Sequence, residues 1–145
     1  MKIRNDFVTN SSSSSFIVAR HKDCTMDEVK TVLNEYRKEI KNLLMIYDGE
    51  LDCAHMDEIK DAYDEENYNH AIDLSIECLA VELMNDGWNH MTLGAWTVNG
   101  EYGSNEDGDL LGSMLYEYMD GIDTEHLKIM RGDCRHEVQT GFRYK

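Results

Sequence analysis

Acidic residues are concentrated in the middle of this 145-residue chain, and their distribution constrains the fold more than any other feature. Residues 1–41 carry 6 acids and 8 bases, residues 42–127 carry 21 acids and 1 base, and residues 128–145 carry 2 acids and 5 bases. The central block, residues 42–127, therefore has a net charge of −20, with Lys60 as its one base. A net charge of about 2 to 8 keeps a small domain soluble, whereas this excess adds self-repulsion to the compact state.

Length and composition predict one folded domain that spans residues 1–145. Hydrophobic residues make up 41% of the chain, and a domain of this size buries roughly two-thirds of its unfolded surface. No segment approaches the ~20 apolar residues of a membrane span, and the N-terminus lacks the pattern of a secretory signal. We therefore expect a cytoplasmic protein. The four cysteines are scattered along the chain, which favours reduced thiols.

Residues 11–15 are five consecutive serines between two short apolar runs. A flexible linker is the usual meaning of such a tract, but only ten residues precede it. Residues 2–8 and 16–19 have the β-branched and aromatic content of strands. We therefore predict a hairpin over residues 1–20, in which residues 3–8 pair with residues 16–19 and the serines form the loop.

The N-terminal sequence KIRNDFVTNSSSSSFIV combines a basic start, Phe-Val, a threonine, an asparagine, a serine run and a phenylalanine. It resembles the opening of many small, uncharacterised proteins of Firmicutes and their phages. The resemblance covers this segment alone and names no activity. It leaves open whether the segment is a processing signal, a modification site or a hairpin. What it implies is a bacterial or phage-borne accessory gene.

Capping residues and apolar spacing predict the helices. Thr25 and Glu28 have the spacing of a capping box, and apolar residues follow at helical intervals as far as Leu44. Further amphipathic or apolar segments predict helices over residues 56–63, 68–85 and 110–119.

The remaining apolar segments predict strands. Residues 91–98 form one predicted strand, and residues 101–103 return beside it across Asn99-Gly100, the strongest short-range hairpin signal. Residues 127–130 and 137–144 have the composition of closing strands. Together these elements predict an α+β fold: a single domain with a mainly antiparallel sheet that includes the N- and C-terminal strands, and three to four helices packed on it.

Three pairs of side chains offer zinc ligands: Cys53 with His55, Cys134 with His136, and His21 with Cys24. No Cys-x-x-Cys pair is present, so the spacing is poor for a tetrahedral site. The stretch SNEDGD is similar to a calcium loop, but with Gly108 at the sixth position the twelfth falls on Met114, where an acid is required. We therefore predict no metal site and no cofactor.

Glu66, His70 and Asp73 fall near one helical face, and their side chains can hold a metal or act as acid and base. A solvated helix surface is the commoner meaning of such a pattern. The sequence contains no nucleophile elbow, phosphate-binding glycine loop or dinucleotide fingerprint. It therefore predicts no catalytic residue, and a metal-dependent enzyme is the third of three function hypotheses.

The charge itself indicates the leading hypothesis. The central block would repel phosphates, which disfavours direct nucleic-acid binding, but a folded acidic surface can occupy the basic nucleic-acid-binding groove of another protein. Combined with the phage-like N-terminus, the charge predicts a nucleic-acid-mimicking inhibitor of a bacterial defence nuclease, of anti-CRISPR or anti-restriction type. The predicted partner-binding residues are the two densest acidic clusters: Asp57, Glu58, Asp61, Asp64, Glu65, Glu66, Glu106, Asp107 and Asp109.

Two further interpretations stay open. The second function hypothesis is a small accessory protein of unknown process that assembles with itself or with a host protein through an apolar surface. The acidity would then serve solubility alone. Acids clustered on one face favour the first hypothesis, and an exposed apolar patch favours the second.

Overall fold

The computed structural model describes residues 16–85, 91–93, 96–102 and 108–131, and within them the fold is α+β as predicted. The described residues form five helices: α1 Met26–Asn34, α2 Arg37–Ile46, α3 Met56–Asp64, α4 Tyr68–Leu83 and α5 Leu110–Glu117. They also form four strands: β1 Phe16–His21, β2 Met91–Leu93, β3 Trp96–Tyr102 and β4 Leu127–Arg131. The predicted segments 56–63, 68–85, 110–119 and 127–130 correspond to α3, α4, α5 and β4.

The chain divides into two compact units. Of the described residues, the helical unit contains 25–84 and 108–118, and the sheet unit contains 16–24, 85, 91–93, 96–102 and 119–131. All five helices belong to the first unit and all four strands to the second. Among the described helices, none has the length and hydropathy needed to cross a membrane.

The sheet has the strand order β2-β3-β1-β4, and every pairing is antiparallel. β1 lies inside the sheet because β3 occupies one of its edges and β4 the other. Residues 16–19 therefore pair on both sides with described strands, and the predicted hairpin partner, residues 3–8, lies outside the described residues. The apolar run FIVA suits this central place, since all four of its residues are buried. The predicted strands at residues 2–8 and 137–144 and the serines at 11–15 lie outside the described residues.

The Asn99-Gly100 pair lies inside β3, where the sequence predicts a hairpin turn. The prediction is wrong because the chain reverses earlier, between β2 and β3. Ala19 lies opposite Val98 and Ile17 lies opposite Glu101, so β3 has one more residue than β1 over this interval. Asn-Gly thus accompanies a β-bulge, a site where glycine is also favoured.

The predicted capping box at the start of α1 is confirmed. The Glu28 N–H donates to Thr25 Oγ1 at 3.1 Å, and the Thr25 N–H donates to Glu28 Oε1 at 3.1 Å. These two bonds satisfy backbone donors that a helix start leaves without partners. The local sequence alone therefore positions the beginning of the helical unit.

The single helix predicted from Thr25 onward is divided into α1 and α2. Glu35 and Tyr36 donate their N–H groups to the carbonyls of Val32 and Leu33, three residues back, and this tighter turn ends α1. Apolar spacing continues across the break, so the periodicity gives no sign of it. The structure therefore has five described helices where three to four were predicted.

α4 is the central helix of the helical unit, where it contacts α1, α2, α3 and α5. Half of its sixteen residues are buried: Ala71, Ile72, Ser75, Ile76, Cys78, Leu79, Ala80 and Leu83. Two acids on its outer side pair with bases of the neighbouring helices, since Lys30 lies 2.9 Å from Glu77 and Arg37 lies 2.8 Å from Asp73. The bases of the N-terminal segment therefore hold α1 and α2 against an acidic helix.

Candidate functional site

α3 presents its carboxylates to solvent. Ile59 and Ala62 are its buried residues, and at 100° per residue Asp57 and Asp61 fall on the opposite side, with Glu65 following at the flank beside Asp61. All three of these acids are exposed. Among the described residues, none of the three makes an ion pair or a side-chain hydrogen bond. Their charges are therefore available to a partner.

The turn after α2 adds two carboxylates to the same surface. Gly49 packs on the ring of Tyr63 in α3 so closely that a Cβ there would lie 2.8 Å from the Tyr63 Cδ2 and Cγ atoms. This contact places Asp48 and Glu50 next to Lys60, whose Nζ lies 4.0 Å from each carboxylate and 3.0 Å from Asp64.

We call the combined surface the α3 acidic face, which comprises Asp48, Glu50, Asp57, Glu58, Asp61, Asp64, Glu65 and Glu66. Every one of these acids is exposed. Lys60 is the one base within it, and its hydrogen bond to Asp64 raises its pKa. Six of the eight acids were predicted from the sequence. The other two, Asp48 and Glu50, flank a glycine directly after an apolar helix, a turn signal that points to exposure.

The end of α3 places an acid in an unfavourable conformation. The Asn67 N–H donates to the Ala62 carbonyl at 2.8 Å and the Glu66 N–H donates to the Tyr63 carbonyl at 3.0 Å, which is a Schellman motif. Glu66 is its left-handed residue, with a φ of 60°. Glycine or asparagine normally occupies this position because a side chain there is strained.

α2 ends in the same way. The Gly49 N–H donates to the Leu44 carbonyl at 2.7 Å and the Asp48 N–H donates to the Met45 carbonyl at 3.3 Å, while Asp48 has a φ of 54°. Both left-handed positions thus hold an acid, at the helix end where the macrodipole disfavours negative charge. Neither helix has a base in its own last turn, and only at the end of α2 does a base from elsewhere, Lys60, donate to the Asp48 carbonyl at 2.9 Å and offset part of this charge. These acids are therefore placed against local stability.

We predict that Glu66→Gly stabilises the protein by about 1 kcal/mol, because it removes both the left-handed strain and a negative charge at a helix C-terminus. The matched control is Glu65→Gly, since Glu65 has a φ of −86° and gains nothing from glycine. We expect that control to lose about 0.5 to 1 kcal/mol through backbone entropy. Urea unfolding midpoints measure both changes, and equal destabilisation by the two variants would contradict the strain at Glu66.

Asp109, in the second predicted acidic cluster, has a structural contact. Its Oδ2 accepts the Gly112 N–H at 2.9 Å and caps α5. Burial raises the pKa of Asp109, the Gly112 N–H opposes this rise, and the Asp52 carboxylate adds to it. The side chain is half-buried, so its geometry favours capping over partner contact. Glu106 and Asp107 lie outside the described residues.

Two cysteines meet where the segment before α3 contacts α4: Cys53 precedes α3, and Cys78 is a buried residue of α4. Nothing in their sequence spacing predicts this pair. A hydrogen bond from the Cys53 thiol is the largest of the effects that lower the pKa of Cys78 to about 6, against its burial. The N–H groups of His55 and Ala54 act in the same direction, and the same thiol contact raises the pKa of Cys53. Both cysteines are free thiols. The contact therefore shifts the pKa values of the two thiols in opposite directions.

The residues proposed for a metal-dependent enzyme do not form a shared site. Asp73 pairs with Arg37 at 2.8 Å, and Glu66 and His70 are exposed. Within the described part of the chain, the one group of three or more potential ligands near enough to share a metal ion is His21, Asp23 and His126. His21 therefore has Asp23 and His126 as neighbouring potential ligands, and Cys24, with which the sequence paired it, is not in this group. Cys53 and His55 are not in that group, and Cys134 and His136 lie outside the described residues.

His126 could have been noticed in the sequence, because it directly precedes an apolar strand while His21 directly follows one. Only the pairing of those strands, however, brings the two histidines together. Neither histidine carries a motif that specifies its partner.

Four large apolar side chains are exposed in the helical unit: Met45, Ile46, Met56 and Val81. Met45 and Ile46 end α2 immediately before the acidic turn, and Met56 immediately precedes Asp57. Apolar side chains thus adjoin the α3 acidic face along the chain.

Comparison with protein-family models, curated proteins and solved structures finds no match for this chain. The similarity of its N-terminal segment to Firmicute and phage proteins stays a prediction. The function is therefore argued from the geometry and charge of the chain itself.

Proposed function

We propose that this chain is a nucleic-acid-mimicking inhibitor whose α3 acidic face occupies the basic groove of a bacterial defence nuclease or effector complex. The observation that carries the proposal is the meeting of three exposed carboxylates from two segments, Asp48, Glu50 and Asp64, at Lys60, beside five further exposed acids of α3 and its C-terminal end. Acids from separate segments meet on this surface, as a binding site requires. The nuclease is of RNA-guided or restriction type.

The spacing of the acids supports mimicry of a duplex. Asp57, Asp61 and Glu65 recur every four residues, which places them about 6 Å apart along the helix axis. Phosphates on one strand of DNA rise about 3.4 Å per nucleotide along its axis, so two nucleotide steps rise about 7 Å. The axial repeat of the acids on the helix is therefore close to the axial rise of two nucleotides.

The placement of Asp48 and Glu66 argues against solubility as the whole explanation. A solubilising charge can lie at any exposed position, and most such positions involve no strain. These two acids instead occupy left-handed positions at helix C-termini. Local rules are commonly broken at functional sites, so retained strain favours a role for the charges themselves.

Binding of the acidic face would release counterions from the basic groove, as nucleic acid does. The experiment is capture from a Firmicute lysate on the immobilised chain, followed by elution with duplex DNA. We expect basic nucleases or their effector complexes to be retained and then displaced by the DNA. Capture of acidic or uncharged proteins, or retention that DNA does not disturb, would contradict the proposal.

The exposed Met45 and Ile46 favour a second candidate function, an accessory protein that binds a host protein through apolar contacts. Apolar association is insensitive to moderate salt, whereas docking of the acidic face weakens with it. Retention of a partner in high salt, and its loss in a Met45→Ser/Ile46→Ser variant, would select this second candidate.

A further inference from the structure

Two histidines face each other across neighbouring strands at one end of the sheet. Arg20 pairs with Leu127, so the next residues, His21 and His126, lie opposite each other, and the His21 N–H donates to the His126 carbonyl at 2.9 Å. Directly opposed residues of an antiparallel pair share a face. Their imidazole rings are 5.0 Å apart between centroids, with an angle of 31° between planes.

The His21 ring is held in place from its other side as well. Trp96 pairs with His21 on β3, and its ring meets the imidazole edge-on at a centroid distance of 5.3 Å. The ring therefore lies between Trp96 and His126. Such packing restricts the rotamer and orients the imidazole before any ligand arrives.

The turn after β1 brings a carboxylate to the same imidazole. The Cys24 N–H donates to the His21 carbonyl at 2.9 Å and closes the turn. Asp23 Oδ2 then lies 3.6 Å from His21 Nδ1, and the Asp23 N–H donates to that nitrogen at 3.1 Å. As the acceptor of this hydrogen bond, Nδ1 presents its lone pair on the side of Asp23, which is the geometry that a metal ligand requires.

We propose that His21, Asp23 and His126 form a binding site for a divalent first-row transition ion of the zinc class. One ligand atom from each residue lies within 4.8 Å of the others. Ligand atoms in a tetrahedral zinc site are roughly 3.3 Å apart, as bond lengths of about 2.0 Å imply, so small side-chain rotations close the group around an ion. Coordination through His21 Nδ1 exchanges the Asp23 N–H bond for a metal bond.

Two imidazoles and one carboxylate suit zinc and its neighbours better than calcium or magnesium, which prefer oxygen ligands. Three protein ligands leave a coordination position for water, as in open zinc sites. A bound metal ion would connect three parts of the chain: the end of β1, the turn that follows β1, and the residue that precedes β4. This site belongs to the sheet unit and is independent of the proposed role of the α3 acidic face.

The test is Zn(II) binding to the chelator-treated full chain, with bound zinc measured by elemental analysis after equilibrium dialysis. We expect one ion per chain, and binding at least about tenfold weaker in Asp23→Asn and in His126→Gln. The Asp23 side chain is 64% exposed, so we expect Asp23→Asn to fold. If His126→Gln does not fold, the zinc affinity of Asp23→Asn alone tests the proposed site. His70→Gln, an exposed histidine outside the group, is the matched control and should bind as the parent does.

The cysteine pair is the competing source of ligands, and two measurements separate it from the histidine site. Cys53→Ser should leave the affinity for Zn(II) unchanged, and Co(II) bound in place of zinc should show no thiolate charge-transfer absorption. Undiminished affinity in Asp23→Asn, or in a folded His126→Gln, would overturn the proposal. So would loss of the bound ion in Cys53→Ser, or the absence of any stoichiometric binding.

Discussion

Gly49→Ala should destabilise the protein by about 2 to 4 kcal/mol, the largest stability change that we expect from a single methyl group. Gly49 is buried, has a φ of 79°, and would direct its new Cβ to within 2.8 Å of the Tyr63 ring. Both the backbone conformation and the clash act against alanine. The turn that carries Asp48 and Glu50 would move away from α3, so the acidic face would be altered too. Urea unfolding measures the loss of stability.

Gly121→Ala is the matched control, because Gly121 has a φ of 97° but no atom within 4 Å of the position of its Cβ. We expect it to lose only about 1 to 2 kcal/mol, from backbone strain alone. Because the Tyr63 Cβ itself would lie 2.9 Å from the new Cβ, only a Tyr63→Gly background removes the clash, and Gly49→Ala should then cost no more than Gly121→Ala. Equal losses at Gly49 and Gly121 in the parent chain would show that the contact with Tyr63 is not tight.

Reversal of the exposed stripe on α3 should weaken binding to the captured nuclease about 100-fold at low salt, as expected if each reversed charge contributes roughly 1 kcal/mol. The variant is Asp57→Lys/Asp61→Lys/Glu65→Lys. These three acids make no ion pair or side-chain hydrogen bond within the described residues, so their reversal tests charge with little effect on the fold. Circular dichroism and the unfolding midpoint confirm that the variant is folded.

The control for net charge is Glu35→Lys/Glu117→Lys/Glu125→Lys. It changes the total charge by the same amount at three exposed acids outside α3. We expect this variant to retain most of the affinity, with a modest decrease from the weaker overall field. Comparable losses in the two variants would mean that net charge, and not the α3 acidic face, governs binding.

Local signals in the sequence were sufficient for much of the helical unit. The capping box at Thr25 and the apolar spacing of α3, α4 and α5 determine elements that form with few distant contacts. The exposed acids of α3 follow from the same spacing, because the buried positions Ile59 and Ala62 fix which side faces solvent. Local patterns thus predicted most of the acidic face.

Features that depend on distant pairing were not predictable. Residues 16–19 have the composition of a strand, but composition does not reveal that β3 and β4 flank them on both sides. Asn99-Gly100 suits a hairpin turn and also a bulge, and only the register with β1 decides between them. The meeting of His21 with His126 depends on the same sheet topology.

Contacts between neighbouring helices were also not predictable from the sequence. The approach of Gly49 to Tyr63 adds Asp48 and Glu50 to the acidic face, and helix packing alone produces it. The approach of Cys53 to Cys78 arises in the same way, since nothing in the spacing of the two residues indicates it.

An equilibrium competition between this chain and duplex DNA for the captured nuclease tests the central claim most directly. If the α3 acidic face occupies the groove that binds DNA, the two ligands exclude each other, and the apparent Kd of the chain rises in proportion to the DNA concentration. The affinity should also fall steeply between about 50 and 200 mM salt, since counterion release drives the binding. An unchanged Kd at saturating DNA, with chain, nuclease and DNA in one ternary complex, would contradict mimicry.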